Sequence, residues 1–210
     1  MATSEARATG ATDGGGRQAL IDATVAAIEE DGLAGVSLRA ITRRAAVSHA
    51  APAHHFGDKA GLFTAVAVEG FRDLEGRLTE ALRAAREQGP AERLQALGVA
   101  YVTFATSHRA HFEVMFRPEL LRPDDPELLR AGLATFALLR DAVQSAQDDG
   151  FGQGWNVDEL ALAAWALVHG IVQLTTYGVL GQFGLPVTPV ALTASLTRFV
   201  SDVIATVGRR

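Results

Sequence analysis

Cysteine is absent from the 210 residues of the chain. This absence excludes disulfide bonds and thiolate catalysis, and it fits a protein of the reducing cytoplasm. The first sixteen residues, MATSEARATGATDGGG, also lack the apolar run that forms the centre of a signal peptide. Their small residues and glycines predict a flexible arm over residues 1–16.

Formal charge is missing from one long stretch, since no Asp, Glu, Lys or Arg occurs between Leu160 and Thr197. The stretch is longer than the roughly 20 residues that span a bilayer. However, polar side chains interrupt it, glycines and Pro186 break its second half, and no basic cluster flanks it. We therefore predict no membrane span and expect a helix buried in a bundle or a subunit interface.

Motifs for catalysis are missing as well. The sequence contains no nucleophile–base spacing, no phosphate-binding loop and no paired carboxylates, so we predict no catalytic residue and no enzyme activity. His108 and His111 lie three residues apart, which could suit a metal ion, but no third ligand has a convincing spacing. We therefore predict no metal site and no cofactor.

Apolar residues, by contrast, make up 48% of the chain, which is enough for a sizeable core. Their spacing follows the helical period nearly everywhere, and no alternating strand pattern competes with it, so the predicted fold class is all-α. The predicted helices cover residues 17–31, 37–45, 49–55, 59–88, 91–107, 109–116, 125–148, 157–180 and 189–207.

The window from Ser37 to Lys59 reverses the sign of the chain's charge. It holds three arginines and one lysine against one aspartate, a formal charge of +3 in a chain that carries −5 overall. Such an excess indicates a polyanionic partner, although a solvated helix face would show the same charges. Ser37 can cap the helix 37–45 and Ser48 the helix 49–55, with a tight turn between them. Two helices joined in this way form a helix-turn-helix, whose second helix enters the DNA major groove.

The run from SLRAITRRAAVS into HHFGDKAGLF resembles the TetR family of bacterial transcriptional regulators, specifically over about residues 17–65. The resemblance implies a three-helix DNA-binding domain over 17–63, with its motif at 37–56. It also implies a larger helical bundle over 64–210 for ligand binding and dimerisation. The sequence departs from the family pattern at Ala46, where a glycine is common, and at Ala53, where a tyrosine is common.

Several residues of the motif suit DNA contacts. Arg39 and Lys59 stand at helix starts, where they can bind phosphates. Alanine methyls can contact a thymine methyl, and histidines can donate or accept in the groove. For His55 a structural role at the helix end is as plausible as a phosphate contact. The predicted DNA-binding residues are Arg39, Arg43, Ser48, His49, Ala50, Ala51, His54, His55 and Lys59.

The stretch AWALVHG, residues 164–170, resembles a C-terminal domain type named for its Trp-His-Gly residues, which implies a small effector and dimerisation through the last two long helices. A polar and aromatic stripe with a spacing of four begins at Trp165, and a second aromatic cluster lies on the preceding helices. Either set can line a pocket or fill a core. The predicted ligand-binding residues are Phe104, His108, Phe112, Met115, Phe116, Trp165, His169, Gln173 and Tyr177.

Together these features predict a cytoplasmic, ligand-responsive transcriptional regulator, a repressor that binds a palindromic double-stranded operator as a homodimer. Its effector is expected to be small and largely apolar. The apolar face of the final helix, which includes Phe199 and Val203, is expected at the subunit interface. The alternative, suggested by Ala53, is a small-molecule-binding dimer with weakened or lost DNA binding.

Overall fold

The computed structural model describes residues 8–184 and 188–207, with side chains from 15 to 184 and from 188 to 204. Helices dominate these ranges and no strand occurs in them, which confirms the predicted all-α fold. The helices are α1 Ala8–Gly35, α2 Leu38–Arg44, α3 Ala51–Phe56, α4 Lys59–Ala84, α5 Pro90–Ser107, α6 Arg109–Met115, α7 Pro126–Asp148, α8 Val157–Thr176, α9 Val179–Gln182 and α10 Pro189–Val207, with a short 3₁₀ helix at Pro118–Leu120.

The chain divides into two compact units. Unit 1 comprises Met1–Phe71 and His108–Arg130, and unit 2 comprises Arg72–Ser107 and Ala131–Arg210. The sequence predicts contiguous domains with a boundary after residue 63. The compact units are instead interleaved along the chain, because α6 packs against α1.

The first helix extends further toward the amino terminus than the sequence predicts. The flexible arm expected over residues 1–16 is helical from Ala8 onward, and residues 1–7 lie outside the described residues. A formed helix gains one hydrogen bond for each residue added, but no described side chain explains why it persists through the glycines at 14–16. Near its other end Gly32 adopts φ 69°, which interrupts the regular helix directly after residue 31, where the predicted helix ends.

Unit 1 has its core where α1 meets α2, α3 and α6. Each large side chain in this core contributes about 1.5–3 kcal/mol by leaving water. Leu20 and Ile21 of α1, Ile41 of α2, Phe56 of α3, Leu62, Phe63 and Val66 of α4, and Val114 of α6 are buried.

Unit 2 is built on the packing of α5 against α8 and α10. A small residue allows the close approach, because a Cβ added to Gly98 would lie 3.2 Å from Cγ1 of Val168 and 3.4 Å from Cγ2 of Thr197. Nε2 of Gln95 also donates to the carbonyl of Ala194 at 2.8 Å. Gly98 therefore fixes how closely the three helices pack.

Helix α8 has the length and apolar composition of a membrane span. The central helix of a folded bundle has the same properties, so they are weak support for a span. Its residues Ala161, Val168, Ile171 and Val172 are buried where it packs against α5 and α10, but most of the helix is not, so α8 is less buried in the single chain than the sequence predicts.

Candidate DNA-binding surface and ligand cavity

Helix α2 begins as predicted at the cap Ser37, whose hydroxyl accepts from the backbone N–H of Ala40 at 3.3 Å. It buries Ile41 and Thr42 against the unit. After its end, Ala46 adopts φ 52° and is the only non-glycine residue of the described chain with a positive φ. An alanine thus occupies the left-handed turn position where the resembled family commonly has glycine.

Helix α3 starts later than predicted and is not capped by the Ser48 hydroxyl. Its cap position is Ala50, without a side-chain bond, and Ser48 contributes only its carbonyl oxygen, 3.1 Å from the N–H of Ala51. The cause is Pro52, which occupies the first turn, where backbone N–H groups have no helical partner anyway. His49 and Ala50 consequently lie in the turn before the helix, and Pro52 removes no intrahelical hydrogen bond.

We call the exposed face of α2, α3 and their turn the recognition surface. Ala51 and His55, also predicted to contact DNA, are half-buried beside it. His49 is held in place because its Nδ1 lies 3.2 Å from the hydroxyl of the buried Thr42. The surface comprises Arg39, Arg43, Ser48, His49, Ala50, Ala53 and His54, all of which are exposed.

Two other cations of the basic window are engaged within unit 1. Arg44 makes a two-pronged ion pair with Glu30 of α1, with one bond of 3.0 Å. The ammonium group of Lys59 donates to the carbonyl of Val36 at 2.6 Å and lies 5.1 Å from the ring centre of Phe63. Lysine has three donor hydrogens, so this bond leaves donors for a phosphate.

Unit 2 contains a cavity of about 100 Å³ between helices α5, α7, α8 and α10. Its wall is almost wholly apolar, and among the described residues it includes no Asp, Glu, Lys, Arg or His. The residues with polar side chains in the wall are Tyr101, Trp165, Thr197 and Ser201. Because an unpaired ionised group would lose several kcal/mol of solvation there, the cavity suits an uncharged molecule.

The polar atoms beside the cavity are joined in a chain of contacts. The indole N–H of Trp165 donates to the hydroxyl oxygen of Tyr101 at 3.2 Å, and this oxygen lies 2.8 Å from Nδ1 of His169. Nε2 of His169 in turn lies 3.1 Å from the carboxamide nitrogen of Gln173. Burial raises the pKa of the Tyr101 hydroxyl and lowers the pKa of His169. The chain is therefore uncharged at neutral pH.

The predicted ligand-binding residues are not brought together. Trp165 lines the cavity, whereas His169 and Gln173 are linked to it through Tyr101 and do not form its wall. Tyr177 is exposed, and Phe104 is fully buried and does not line the cavity.

The other four predicted ligand residues, His108, Phe112, Met115 and Phe116, belong to unit 1. Phe116 packs against Phe112 and Phe71 with ring centres 4.9 and 5.8 Å away, and Met115 covers Gly70 of α4. These residues pack within unit 1 and do not line this cavity, because α6 packs against α1. The predicted ligand-binding residues omit Tyr101, which belongs to the second aromatic cluster, and the apolar wall, whose spacing is that of ordinary core.

No group of three or more His, Asp or Glu side chains in the described ranges is arranged to hold a metal ion. His111 instead contacts a carboxylate oxygen of Glu69 at 3.2 Å, and Gln18 donates to the other oxygen at 2.9 Å. These three residues link α1, α4 and α6 within unit 1.

Two family models match the chain. The model for bacterial regulatory proteins of the tetR family matches residues 20–66, and the model for the tetracyclin repressor-like C-terminal domain matches residues 94–202. The regulator BetI of Burkholderia ambifaria, described as an HTH-type transcriptional regulator, is 42% identical over 84 residues. That match covers 40% of this chain and 43% of BetI, so it spans less than half of the curated relative.

Solved structures resemble nearly the whole chain. A protein of unknown function from Rhodococcus sp. RHA1 is 32% identical with a TM-score of 0.75, over 91% of this chain and 94% of the other. The TetR family transcriptional regulator PfmR of Thermus thermophilus shares the fold at 17% identity with a TM-score of 0.65, over 89% and 93% of the two chains. Because the C-terminal family model alone matches more than half of the residues, the chain belongs to the TetR family of bacterial transcriptional regulators.

Proposed function

We propose that the protein is a cytoplasmic, ligand-responsive repressor that binds a palindromic operator in double-stranded DNA as a homodimer. The observation that carries this proposal is the recognition surface. Its arginines, Arg39 and Arg43, are exposed on α2 and have no carboxylate partner among the ion pairs described, so they can neutralise phosphates. The exposed His49, Ala50 and His54 can meet base edges in the major groove.

The dimer is supported by apolar side chains that the single chain leaves in water. Several of them lie on or directly after α8 and on α10, and these two helices pack against each other. Exposed large apolar side chains on adjacent helices indicate an interface, and two helices from each of two copies form a four-helix contact with twofold symmetry. Twofold symmetry in the protein requires a palindromic operator. The exposed residues are Leu162 and Leu174 of α8, Tyr177 after it, and Val190, Phe199 and Val203 of α10.

The effector is proposed to bind the cavity of unit 2. Its wall favours a small, uncharged and largely apolar molecule. Regulation follows when this molecule binds more tightly to the DNA-free state of the dimer than to the DNA-bound state. Trp165 lies in the wall, so its fluorescence reports occupancy.

Selection from a pool of random duplexes tests the DNA-binding part. The purified protein should retain duplexes that share a palindrome, and the doubly substituted Arg39→Ala, Arg43→Ala protein should retain few. Small apolar molecules are then screened for release of the selected duplex together with a change in Trp fluorescence. If a folded wild-type dimer retains no duplex even at low salt, the proposed repressor function is wrong.

The second candidate is a small-molecule-binding dimer with weakened or lost DNA binding. Ala53, exposed on α3, has no hydroxyl to offer a phosphate. This candidate predicts that the protein dimerises and binds apolar molecules while no duplex is selected. The same selection therefore separates the two functions.

A further inference from the structure

The junction between α3 and α4 consists of only two residues, Gly57 and Asp58. Gly57 ends α3 with φ 80° and ψ −55°, and its N–H donates to the carbonyl of Ala53 at 3.1 Å. Asp58 begins α4, because its Oδ1 accepts from the N–H of Gly61 at 2.8 Å. With so short a connection, the backbone of these two residues sets the direction of α3 relative to α4.

Arg122, from the segment between α6 and α7, binds this junction. Its Nη2 lies 2.9 Å from Oδ1 of Asp58, the same oxygen that caps α4. The N–H of Gly61, and after it the guanidinium of Arg122, holds the pKa of the Asp58 carboxyl below its usual value. The carboxylate is thus ionised and bound from two sides at neutral pH.

Two glycines make room for the guanidinium group. A Cβ added to Gly57 would lie 2.8 Å from Nη2 of Arg122, and one added to Gly61 would lie 2.9 Å from its Cζ. Gly61 also faces the carbonyl of Phe56, which such a Cβ would approach to 2.1 Å. The arginine therefore lies across the last turn of α3 and the first turn of α4. A residue with a side chain at Gly57 or Gly61 would displace it.

The backbone of Arg122 is fixed to α4 as well. Its N–H donates to the hydroxyl of Thr64 at 2.9 Å, and this buried hydroxyl donates to the carbonyl of Ala60 at 2.8 Å. The side chain consequently extends from an anchored point and does not depend on a mobile loop. Helix α4 therefore binds the backbone of Arg122, and the side chain of Arg122 binds the junction.

We propose that Arg122 is a positioning residue for DNA binding, which holds α3 in its groove-reading orientation through Asp58 and the junction. The proposal rests on the proposed DNA-binding function. Arg122 need not contact DNA itself, because its guanidinium is paired with Asp58 on the surface of unit 1. Without it, α3 would sample several directions, and only a fraction of the protein would be competent to bind the operator.

Two other roles predict different results. A phosphate contact, when removed, weakens binding to all sequences and flattens the salt dependence by about one unit. Removing a residue that only stabilises the fold lowers the unfolding temperature but leaves the affinity of the folded protein unchanged. Removing a positioning residue weakens binding of the folded protein to the selected duplex and leaves the salt slope unchanged.

The test uses full-length protein and a duplex that the wild-type protein selects from a random pool. Arg122→Ala should bind this duplex about tenfold more weakly, a factor equal to ~1.4 kcal/mol, with an unchanged salt slope and little change on unselected DNA. Asp58→Asn keeps the oxygen that caps α4 and removes the charge that pairs with Arg122, so it should also bind this duplex more weakly. The double variant should be no weaker than Arg122→Ala, because the two residues act as one unit.

Arg117→Ala is the matched control. Arg117 lies in the same segment, its side chain is 43% exposed against 45% for Arg122, and it pairs with Glu113 at 3.6 Å, away from the junction. This variant should bind the selected duplex as the wild type does. Circular dichroism tests whether each variant is folded. If Arg122→Ala is not folded, the affinities of Arg122→Lys and Asp58→Asn for the selected duplex are compared with that of the wild type instead.

Each remaining outcome has one meaning. If the wild type selects no duplex, the DNA-binding function itself is wrong. If the wild type binds and the folded Arg122 variants bind equally well, Arg122 does not position α3. If their salt slope falls by one unit, Arg122 is a phosphate contact and the positioning role is also rejected.

Discussion

The hydroxyl oxygen of Tyr101 lies 2.8 Å from Nδ1 of His169 and accepts the indole N–H of Trp165. The carboxamide nitrogen of Gln173 can only donate, so Nε2 of His169, 3.1 Å away, accepts from it and carries no proton. The ring proton then lies on Nδ1, which donates it to the Tyr101 hydroxyl oxygen, and that oxygen has a lone pair for each of its two donors. This arrangement requires a neutral imidazole, in agreement with the burial that lowers the pKa of His169.

The stability of the protein should therefore fall as His169 becomes protonated. Because the folded-state pKa lies below the unfolded value of about 6.5, the unfolded chain takes up the proton first as the pH falls. The stabilisation is complete above pH 6.5 and is lost as the pH drops below it toward the folded pKa. Denaturant unfolding between about pH 8 and pH 5 measures this loss.

The matched variant for this effect is His169→Asn, whose side-chain amide can donate to Tyr101 and does not titrate. The pH dependence of unfolding should be shallower in the variant than in the wild type, and the difference isolates this residue from the other five histidines. Identical pH profiles would contradict the requirement for a neutral ring.

Ala46→Gly should stabilise the protein by about 1 kcal/mol, since alanine is strained at φ 52° and glycine is not. The side chain is exposed, so its removal costs no packing. The control is Ala45→Gly, because Ala45 has φ −72° and glycine there should destabilise by about 0.5–1 kcal/mol. Urea unfolding of the three proteins measures both changes. Equal effects at the two positions would mean that Ala46 carries no strain.

This left-handed turn is a feature that the sequence makes predictable. The end of α2 and the short turn after it are encoded within a few residues, so local chemistry suffices to place them. The same local signals mislead at Ser48, because Pro52 shifts the start of α3 and the cap falls to Ala50.

The cavity and the Arg122–Asp58 pair lack such local signals. Leu97 and Val143 line the cavity with the same helical spacing that buried core residues show, so periodicity cannot separate wall from core. Phe112 and Phe116 point to a pocket only until the packing of α6 on α1 is known. These features depend on which helices meet, and that is decided by contacts between distant parts of the chain.

Arg39→Ala should weaken binding to specific and unselected DNA alike and flatten the salt dependence by about one unit. The side chain is exposed on α2 and lies on the recognition surface. Arg44→Ala is the control on the same helix, since its guanidinium is already paired with Glu30, and its removal should change the slope less. Fluorescence polarisation at several salt concentrations gives both slopes. An altered sequence preference with an unchanged slope would exclude Arg39 as a phosphate contact.

Phe199→Glu should convert the dimer to folded monomers. The phenyl ring is 64% exposed in the single chain, so the substitution spares the core but would bury an unpaired charge in the proposed interface. Leu133→Glu on α7 is the control, because that side chain is 68% exposed and lies outside α8 and α10. Sedimentation should show monomers for the first variant and dimers for the second. The reverse result would place the interface on α7.

Ala53→Tyr should tighten the binding of selected and unselected duplexes by similar factors. Ala53 is exposed on α3, and the family resemblance implies that a tyrosine hydroxyl at this position reaches a phosphate. A hydrogen bond to a charged group contributes roughly 1.5–3 kcal/mol, less when water already serves the phosphate, so about tenfold is expected. The sequence preference should not change, because phosphate contacts carry no base information. Ala53→Phe, which adds the ring without the hydroxyl, should not reproduce the gain. Weaker binding by a folded tyrosine variant would mean that Ala53 packs directly against the DNA.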